Sequence, residues 1–422
     1  MFDSIDRILH SFEISHYGFL PVDEPLARLP STYYQPWENL ISRLPILISD
    51  GSLYNEFASL PLLSTSELRS LPEWRRAYVI LTFFTHAHTW SDLQPREVLP
   101  ANITVPLLEV SAYLDLPPTA TYPALNLWNC GLVTDGADIT NPENVVMRHT
   151  FTGTTDEAWF YAVSVSVEAK GVAAIQVMLE CVKAIEQDKK DEVLECLRSF
   201  RVIVSELASI LQRMHEHCDP SVFYHRIRPF LAGSRGMEKA GLPHGLFYDE
   251  GRGKGSWRQY SGGSNAQSSL IQFLDIALGI KHEGPSSQRG GKEQAYLNGM
   301  RQYMPQAHRQ FLEYFDSVAK IRQYVQSKNV SETLSSTFDE AVEAMAAFRD
   351  THIKIVARYI VAPSRARDQS QNQGVRNIAA SSSEQTSSKD ELKGTGGTNL
   401  MAFLKQTRAE TRAAKSRTPI AV

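Results

Sequence analysis

The chain has 422 residues, of which 42% are hydrophobic, and its formal net charge is -4. It is therefore long enough for one large core and a smaller companion domain. The 43 basic and 47 acidic residues are interspersed along the chain. We therefore expect neither nucleic acid nor an acidic membrane as a partner, because no segment concentrates one sign of charge.

Cysteine usage and the N-terminus favour a cytoplasmic location. The four cysteines are scattered and form no CxxC pair, which is typical of reduced thiols rather than of a secreted disulfide scaffold. The N-terminus lacks the apolar stretch of a signal peptide. No apolar run approaches the roughly 20 residues that a membrane-spanning helix needs, so we expect no membrane association.

Two regions differ in their residue patterns. Residues 1–150 are rich in proline and aromatic side chains, with short mixed segments such as 78–84, and predict a small, mostly helical domain. From about Ala158 the pattern changes to long helices, which predict a large all-α domain over residues 151–422. The predicted helices span roughly 158–186, 190–217, 220–231, 265–281, 296–327 and 336–362.

Local signals predict several helix ends. Asp219 followed by Pro220 is typical of an N-cap with proline in the first turn. Ser336 with Asp339 resembles a capping box. Pro363 is expected to end the last long helix.

Two of these segments contain side chains suited to a ligand. Phe160, Ser164, Val167 and Gly171 fall on one helical face, where small residues leave a shallow trough. The trough fits either close helix packing or the floor of a pocket for a flat ligand. Arg228 follows a pair of aromatic residues; such an arginine either reaches solvent or holds a carboxylate with two hydrogen bonds.

The segment 232–264 contains nine glycines and little periodicity. It is long for a connection inside a domain, so we expect it to serve a site. Its end, 261–269, leads into a helix and offers backbone N–H groups and hydroxyls to an anion or a carbonyl group.

His352 lies on the buried face of the last long helix. A histidine at such a position is either hydrogen-bonded within the core or an axial ligand of haem iron, which requires a neutral imidazole. Periodicity alone leaves both interpretations open. The other members of this face are Phe338, Ala341, Val342, Met345, Phe348, Ile355, Val356 and Tyr359.

Residues 364–392 are rich in serine, glutamine, asparagine and charge, and predict a disordered linker. The glycine-rich turn 393–398 and a short helix from Asn399 follow. We expect 393–404 to fold back over a pocket as a mobile lid.

Several motifs, taken together and in this order, resemble the indoleamine 2,3-dioxygenase family, and in particular its fungal-type members. The resemblance covers about Leu20 to Leu404. Its strings are Phe19–Pro21, FYAVSVSVE at 160–168, FLAG at 230–233, SGGSNAQSS at 261–269, YMPQAHR at 303–309, RDTHIKIV at 349–356 and KGTGGT at 393–398.

The resemblance implies an enzyme with one haem b per chain, ferrous in the active state, and O2 as co-substrate. The implied reaction inserts both oxygen atoms across the indole C2–C3 bond of tryptophan to give N-formylkynurenine, on the route to NAD. The resemblance also implies L-tryptophan and other indoleamines as substrates, an external electron donor that reduces the haem, and a monomeric state. The alternative is a non-catalytic or low-activity haem-binding member of the same fold with a signalling role.

The same resemblance implies roles for individual residues. His352 matches the proximal haem ligand, Arg349 a haem-propionate neighbour, Ser164 the distal-pocket serine and Phe160 the aromatic that flanks the indole, while the N-terminal domain covers the distal side. Arg228 matches the arginine that binds the substrate carboxylate. The remaining matches are Tyr122, Phe223, Tyr224 and Leu231 in the pocket wall, Gly263 and Ser264 beside haem and substrate, Asn265 in the same loop, Asp275 on the next helix and Thr398 in the lid.

Three residues depart from the common family pattern. Tyr224 replaces a phenylalanine, Asn265 a small alanine and Leu125 a cysteine found in mammalian members. We expect these changes to reshape the pocket without changing the type of reaction.

Overall fold

The structure, a computed structural model, describes residues 4–282, 290–327, 330–366 and 400–416, and it is predominantly helical, as predicted. The helices before residue 150 are α1 (Ile5–Ser11), α2 (Gln35–Ser42), α3 (Leu44–Ser49), α4 (Leu53–Ser59), α5 (Leu71–Trp90) and α6 (Ala101–Leu114). The later helices are α7 (Thr155–Lys170), α8 (Val172–Glu186), α9 (Lys190–Gln212), α10 (Met214–His217), α11 (Pro220–Val222), α12 (Ser269–Ala277), α13 (Gly290–Arg301), α14 (Gln306–Val318), α15 (Ile321–Val325), α16 (Glu332–Val356), α17 (Ala362–Ala366) and α18 (Leu400–Ala413).

Short strands, which the sequence patterns do not predict, join distant parts of the chain. β1 (Val98–Leu99) pairs in parallel with β4 (Leu246–Gly251), and β4 pairs antiparallel with β5 (Lys254–Arg258). β2 (Cys130–Leu132) and β3 (Val145–Met147) form an antiparallel pair. The glycine-rich segment therefore contains a β-hairpin, which fastens it to the N-terminal region.

Helix α5 lies at the centre of the first hydrophobic core. Its residues from Arg76 to Trp90 are all buried, as expected for a helix surrounded by protein on every side. Arg76 forms a buried ion pair with Glu38, with 2.7 Å between Nη2 and Oε2. This core continues past residue 150 to include Tyr161 and Phe230. The division of the chain at residue 150 stays a prediction.

The second core joins α8, α9, α12, α14 and α16, and α16 packs between α9 and α18. The predicted helix 158–186 is in fact two helices, which meet at Gly171. A Cβ atom at Gly171 would lie 2.3 Å from Leu270 Cδ2, so glycine allows α12 to approach the junction. The stretch Thr155–Glu186 is apolar and long enough to cross a membrane, but 67% of its most apolar window is buried inside the protein.

Helix ends test the predicted capping signals. The Asp219 cap is confirmed: its Oδ1 accepts hydrogen bonds from the backbone N–H groups of Ser221 and Val222, at 2.8 and 3.1 Å. The capping box at 336–339 is wrong, because α16 begins four residues earlier, where Ser331 Oγ accepts from the Leu334 N–H at 3.2 Å.

Other predicted helices are divided or displaced. Pro363 does not end the last long helix: a π-helical segment (Ala357–Val361) leads into α17, where proline occupies the first turn and its missing N–H costs little. The segment 220–231 is α11, a π-helix (Phe223–Ile227) and a 3-10 helix (Arg228–Leu231). The predicted linker is wrong for 364–366, which belong to α17. Of the rest of the linker and the lid, 367–399 lie outside the described residues, and 400–404 form the first turn of α18.

Candidate active site

One cavity is lined by most of the residues that the sequence analysis identified as candidates. Its volume, including the part that is open to solvent, is about 1720 Å³. Its walls come from α7, the π and 3-10 turns after α11, the loop before α12, and helices α12, α16 and α18. The predicted residues that line it are Tyr122, Phe160, Ser164, Phe223, Arg228, Leu231, Gly263, Ser264, Asn265, Asp275, Arg349 and His352.

Two predicted pocket residues are not in the wall, and one lies outside the described part of the chain. Tyr224 is fully buried behind Arg228, whose guanidinium carbon lies 5.7 Å from the centre of the tyrosine ring. Leu125 lies behind Gly263: a Cβ atom at Gly263 would lie 2.3 Å from Leu125 Cδ1. Thr398 is outside the described residues.

The His352 imidazole fits a metal ligand. It lies on α16 and faces the cavity, and none of the described residues forms a hydrogen bond with its ring. Burial, together with the Arg349 charge, lowers the pKa of His352 to about 4. The ring is therefore neutral near pH 7, with a lone pair available to a metal. The alternative is a core histidine that is hydrogen-bonded within the protein. The described residues do not support it, because none of them offers the imidazole a hydrogen-bond partner.

One turn before His352, Arg349 forms an ion pair with Asp275 of α12. Burial by itself would raise the pKa of Asp275, but the charges of Arg349 and His282 outweigh it and lower the pKa. The Asp275 carboxylate is thus ionised, and it fixes the position of a guanidinium at the cavity edge. An arginine held in this way is suited to an anionic group of a cofactor.

Helix α7 contributes a mostly apolar wall. Phe160 contacts Phe223, with ring centroids 5.0 Å apart. Ser164 Oγ donates a weak hydrogen bond of 3.3 Å to the Phe160 carbonyl group, so its hydroxyl is the main polar group on this part of the helix. Gly171 lies at the helix packing contact instead, so the predicted trough divides into a pocket half and a packing half.

Arg228 supplies a cation to the same wall. It lies at the change from π-helix to 3-10 helix, and only 5% of its surface is exposed. Burial lowers its pKa, and the nearby Tyr224 opposes this effect. Because a guanidinium stays protonated at neutral pH, the wall presents a positive charge among aromatic side chains. That combination matches an aromatic ligand with a carboxylate.

The loop before α12 is held by Gln267, which sequence reasoning missed. Gln267 Nε2 donates to the Gly262 carbonyl at 2.9 Å, and its Oε1 accepts from the Tyr122 N–H at 2.8 Å. Ser264 Oγ accepts from the Ala266 N–H at 3.3 Å. The buried amide thus fixes the loop against the pocket wall formed by Tyr122.

Glu168 is a second residue that the sequence analysis missed. It lines the cavity one turn after Ser164, is 1% exposed, and accepts a hydrogen bond of 2.5 Å from Ser268 Oγ. Burial raises its pKa to about 7, while Ser268 and Tyr122 act in the opposite direction. Its spacing of four residues from Ser164 is a helical signal that would have found it.

Helix α18 forms a further part of the wall. Its residues Leu400, Phe403, Leu404 and Thr407 line the cavity. The Phe403 ring lies 5.4 Å from that of Tyr296 in α13. The predicted helix from residue 399 is therefore confirmed from Leu400 onward, although it extends to Ala413 and so exceeds the predicted length.

The fold and the cavity define a helical protein with a histidine suited to a metal cofactor and an arginine suited to an anionic aromatic ligand. Comparisons with known proteins are specific: residues 8–414 match the family model described as indoleamine 2,3-dioxygenase. The chain belongs to the indoleamine 2,3-dioxygenase family. It is therefore an enzyme, an oxidoreductase of the dioxygenase type, and the predicted family is confirmed.

Curated fungal relatives agree along nearly the whole chain. The chain is 40% identical over 426 residues to indoleamine 2,3-dioxygenase of Saccharomyces cerevisiae, covering 96% of this chain and 93% of the yeast protein. It is 40% identical over 415 residues to the Penicillium citrinum protein, covering 97% and 89%. It is 38% identical over 398 residues to 6-hydroxytryptophan 2,3-dioxygenase of Fusarium equiseti, covering 93% and 95%.

Proposed function

We propose that this enzyme uses haem and O2 to cleave the indole C2–C3 bond of L-tryptophan, with N-formylkynurenine as the product. The observation that supports this most directly is the neutral His352 imidazole, which faces the same cavity as the buried Arg228. One ligand position for iron and one position for a substrate carboxylate thus share a single chamber. Membership of the dioxygenase family supports the same chemistry.

The haem would be held by residues of α16 and of the loop before α12. His352 would ligate the iron, Arg349 would bind a propionate, and the backbone at Gly263 and Ser264 would lie beside the macrocycle. Ferrous haem, kept reduced by an external donor, would supply the redistribution of spin and charge that allows triplet dioxygen to react with a closed-shell indole; both oxygen atoms enter the product, and the indole is the group that is oxidised. The protein's contribution is then binding, orientation and exclusion of water.

Arg228 would bind the carboxylate of tryptophan through charge-assisted hydrogen bonds. Phe160, Phe223 and Leu231 would enclose the indole ring, restrict its orientation and exclude water from the reacting bond. Ser164 would offer a single hydroxyl in an otherwise apolar wall. The reaction inserts two oxygen atoms and needs no permanent proton acceptor. Glu168, the carboxylate that lines the cavity on the same helix as Ser164, is instead hydrogen-bonded to Ser268.

Two features bear on the substrate. The Fusarium relative is named for 6-hydroxytryptophan, and Asn265 adds a polar side chain to the cavity wall. We take L-tryptophan as the substrate because the apolar residues Phe160, Val163 and Leu231 dominate the wall near Arg228. With this substrate the enzyme would begin the kynurenine route toward NAD.

The test combines cofactor binding with turnover. The purified chain is loaded with haem, reduced, and supplied in parallel with L-tryptophan, D-tryptophan and 6-hydroxytryptophan under air. We expect a Soret band and accumulation of N-formylkynurenine from L-tryptophan. A chain that takes up no haem would overturn the proposal. Product from 6-hydroxytryptophan alone would retain the reaction type and overturn the proposed substrate.

A further inference from the structure

A row of four buried charges begins in the cavity wall, which Arg349, Asp275 and His282 line, and ends at Glu410. The sequence analysis did not consider His282 or Glu410. His282 Nε2 lies 3.1 Å from Asp275 Oδ2, and His282 Nδ1 lies 2.7 Å from Glu410 Oε2. Arg349 pairs with the other oxygen of Asp275. The order of charges is Arg349, Asp275, His282 and Glu410, so positive and negative groups alternate.

All four side chains are withdrawn from solvent. Their exposed fractions are 13% for Arg349, 11% for Asp275, 6% for His282 and 12% for Glu410. An imidazole with a carboxylate at each ring nitrogen donates two hydrogen bonds only when it is protonated. Burial alone would lower the pKa of His282, but Asp275 and Glu410 raise it to about 9. The row is then neutral overall.

The row joins three helices that are distant in sequence. Arg349 lies on α16, Asp275 on α12, His282 five residues after α12 ends, and Glu410 on α18. Glu410 follows Thr407 of the cavity wall by three residues, so the two side chains share one face of α18. The inner face of α18 is thus fixed to α12 by the His282 bridge at the point where the helix closes the cavity.

The outer ion pairs of the same region are of a different kind. Arg412 pairs with Glu343 at 3.1 Å, and Lys415 pairs with Glu343 at 3.2 Å, and these side chains are 40 to 46% exposed. Arg408 and Arg412 also pair with Asp350, at 2.8 and 3.0 Å, with side chains 29 to 42% exposed. Exposed pairs of this type contribute little to stability because solvent screens them. Removing one member of a buried pair costs far more, because the other charge stays buried without compensation.

We propose that His282 and Glu410 are positioning residues that hold α18 as a wall of the cavity and thereby retain the haem. This inference rests on the proposed function, because it takes haem as the occupant. Glu410 lies outside the cavity lining, whereas His282 is part of it, so Glu410 acts on the cavity only through His282 and α18. Their effect is on the wall formed by Leu400, Phe403 and Leu404, and through it on how long the cofactor remains bound.

The experiment measures haem loss from the haem-loaded enzyme. The variants are His282→Gln, Glu410→Gln and the double variant, and the control is Lys415→Gln on the exposed side. Haem transfer to an excess of an apoglobin is followed by the Soret band. We expect each inner variant to lose haem about tenfold faster or more, the double variant to be no faster than the worse single variant, and the control to match the unaltered enzyme.

Hydrogen exchange provides a readout that general destabilisation would not reproduce. In the haem-loaded variants, we expect faster exchange confined to the amides of α18, with α5 and α9 unchanged. If His282→Gln fails to fold, Glu410→Gln, at the outer end of the row, provides the same test. Haem loss and α18 exchange equal to those of the control would overturn the inference. An unaltered chain that binds no haem would overturn the proposed function instead.

Discussion

The cavity has two unlike parts. The aromatic wall consists of Phe160, Val163, Phe223, Arg228 and Leu231, whereas the charged wall consists of Asp275, His282, Arg349 and His352. In the charged wall, the cations Arg349 and His282 have carboxylate partners within the protein. In the aromatic wall, the cation Arg228 lies over the ring of Tyr224, at 5.7 Å.

The difference separates two tasks. Buried charges need compensation, and the charged wall achieves it with its own carboxylates, so it can hold a fixed shape around a cofactor. The aromatic wall offers a guanidinium among apolar rings, an environment that an aromatic amino acid matches with its carboxylate and its ring. If this division is correct, changes in the charged wall should affect haem binding, and changes in the aromatic wall should affect substrate binding.

Replacing His352 removes the predicted iron ligand from the charged wall. We expect His352→Ala to bind haem more than about 100-fold more weakly, because a ligand loss exceeds the 10- to 100-fold cost typical of outer-shell changes. Titration of haem into the apoprotein, followed by the Soret band, measures this. His10→Ala, an exposed histidine on α1, is the control. An unchanged Soret band in His352→Ala would refute the assignment.

Replacing Arg228 tests the aromatic wall. We expect Arg228→Ala to lower kcat/KM for L-tryptophan by about 100-fold or more, because two charge-assisted hydrogen bonds of roughly 1.5–3 kcal/mol each are lost. Haem binding should stay unchanged. Tryptamine, which has the indole ring but no carboxylate, is the control substrate. If the variant loses as much activity on tryptamine as on tryptophan, Arg228 does not bind the carboxylate.

Glu168 is a titrating residue of the cavity lining, and replacing it tests how the stability of the protein depends on pH. Its folded pKa of about 7 lies above the ordinary 4.5. The folded state therefore binds more protons between these values, and stability falls as pH rises from 4.5 to 7, by up to about 3 kcal/mol. Glu168→Gln should abolish this fall. Urea unfolding at pH 5 and pH 8 measures it, and an equal pH dependence in both proteins would contradict the prediction.

Tyr224 should have the smallest effect. It lies behind Arg228 and outside the cavity wall, so Tyr224→Phe keeps the ring under the guanidinium. We expect KM for L-tryptophan to change by less than about threefold, because the cation–π contact is retained. Tyr224→Ala, which removes the ring, should raise KM more. A large change in KM for Tyr224→Phe would indicate that Tyr224 belongs to the pocket wall after all.

The sequence predicts the inward face of α16 and the Asp219 cap because both depend on neighbours within a few residues. Helical spacing places His352 with Phe348 and Ile355, and in the structure all three line the cavity. The same rule misplaces the start of α16 by a few residues, since the periodic pattern weakens where Ser331 caps the helix. The same rule predicts α7 and α8 as one helix. The contact that marks their junction, between Gly171 and Leu270, is made with a helix distant in sequence, so no local pattern shows it.

Local pattern therefore determined the all-helical class, the candidate histidine and the motifs of the cavity loops. Tertiary structure alone decided which distant residues meet. Glu410 reaches His282 across 128 residues of sequence. Within one π-helical turn, Phe223 lines the cavity whereas Tyr224 packs against Arg228 outside the lining. Helical periodicity describes one element at a time, whereas charge pairing and cavity lining depend on how separate elements pack together.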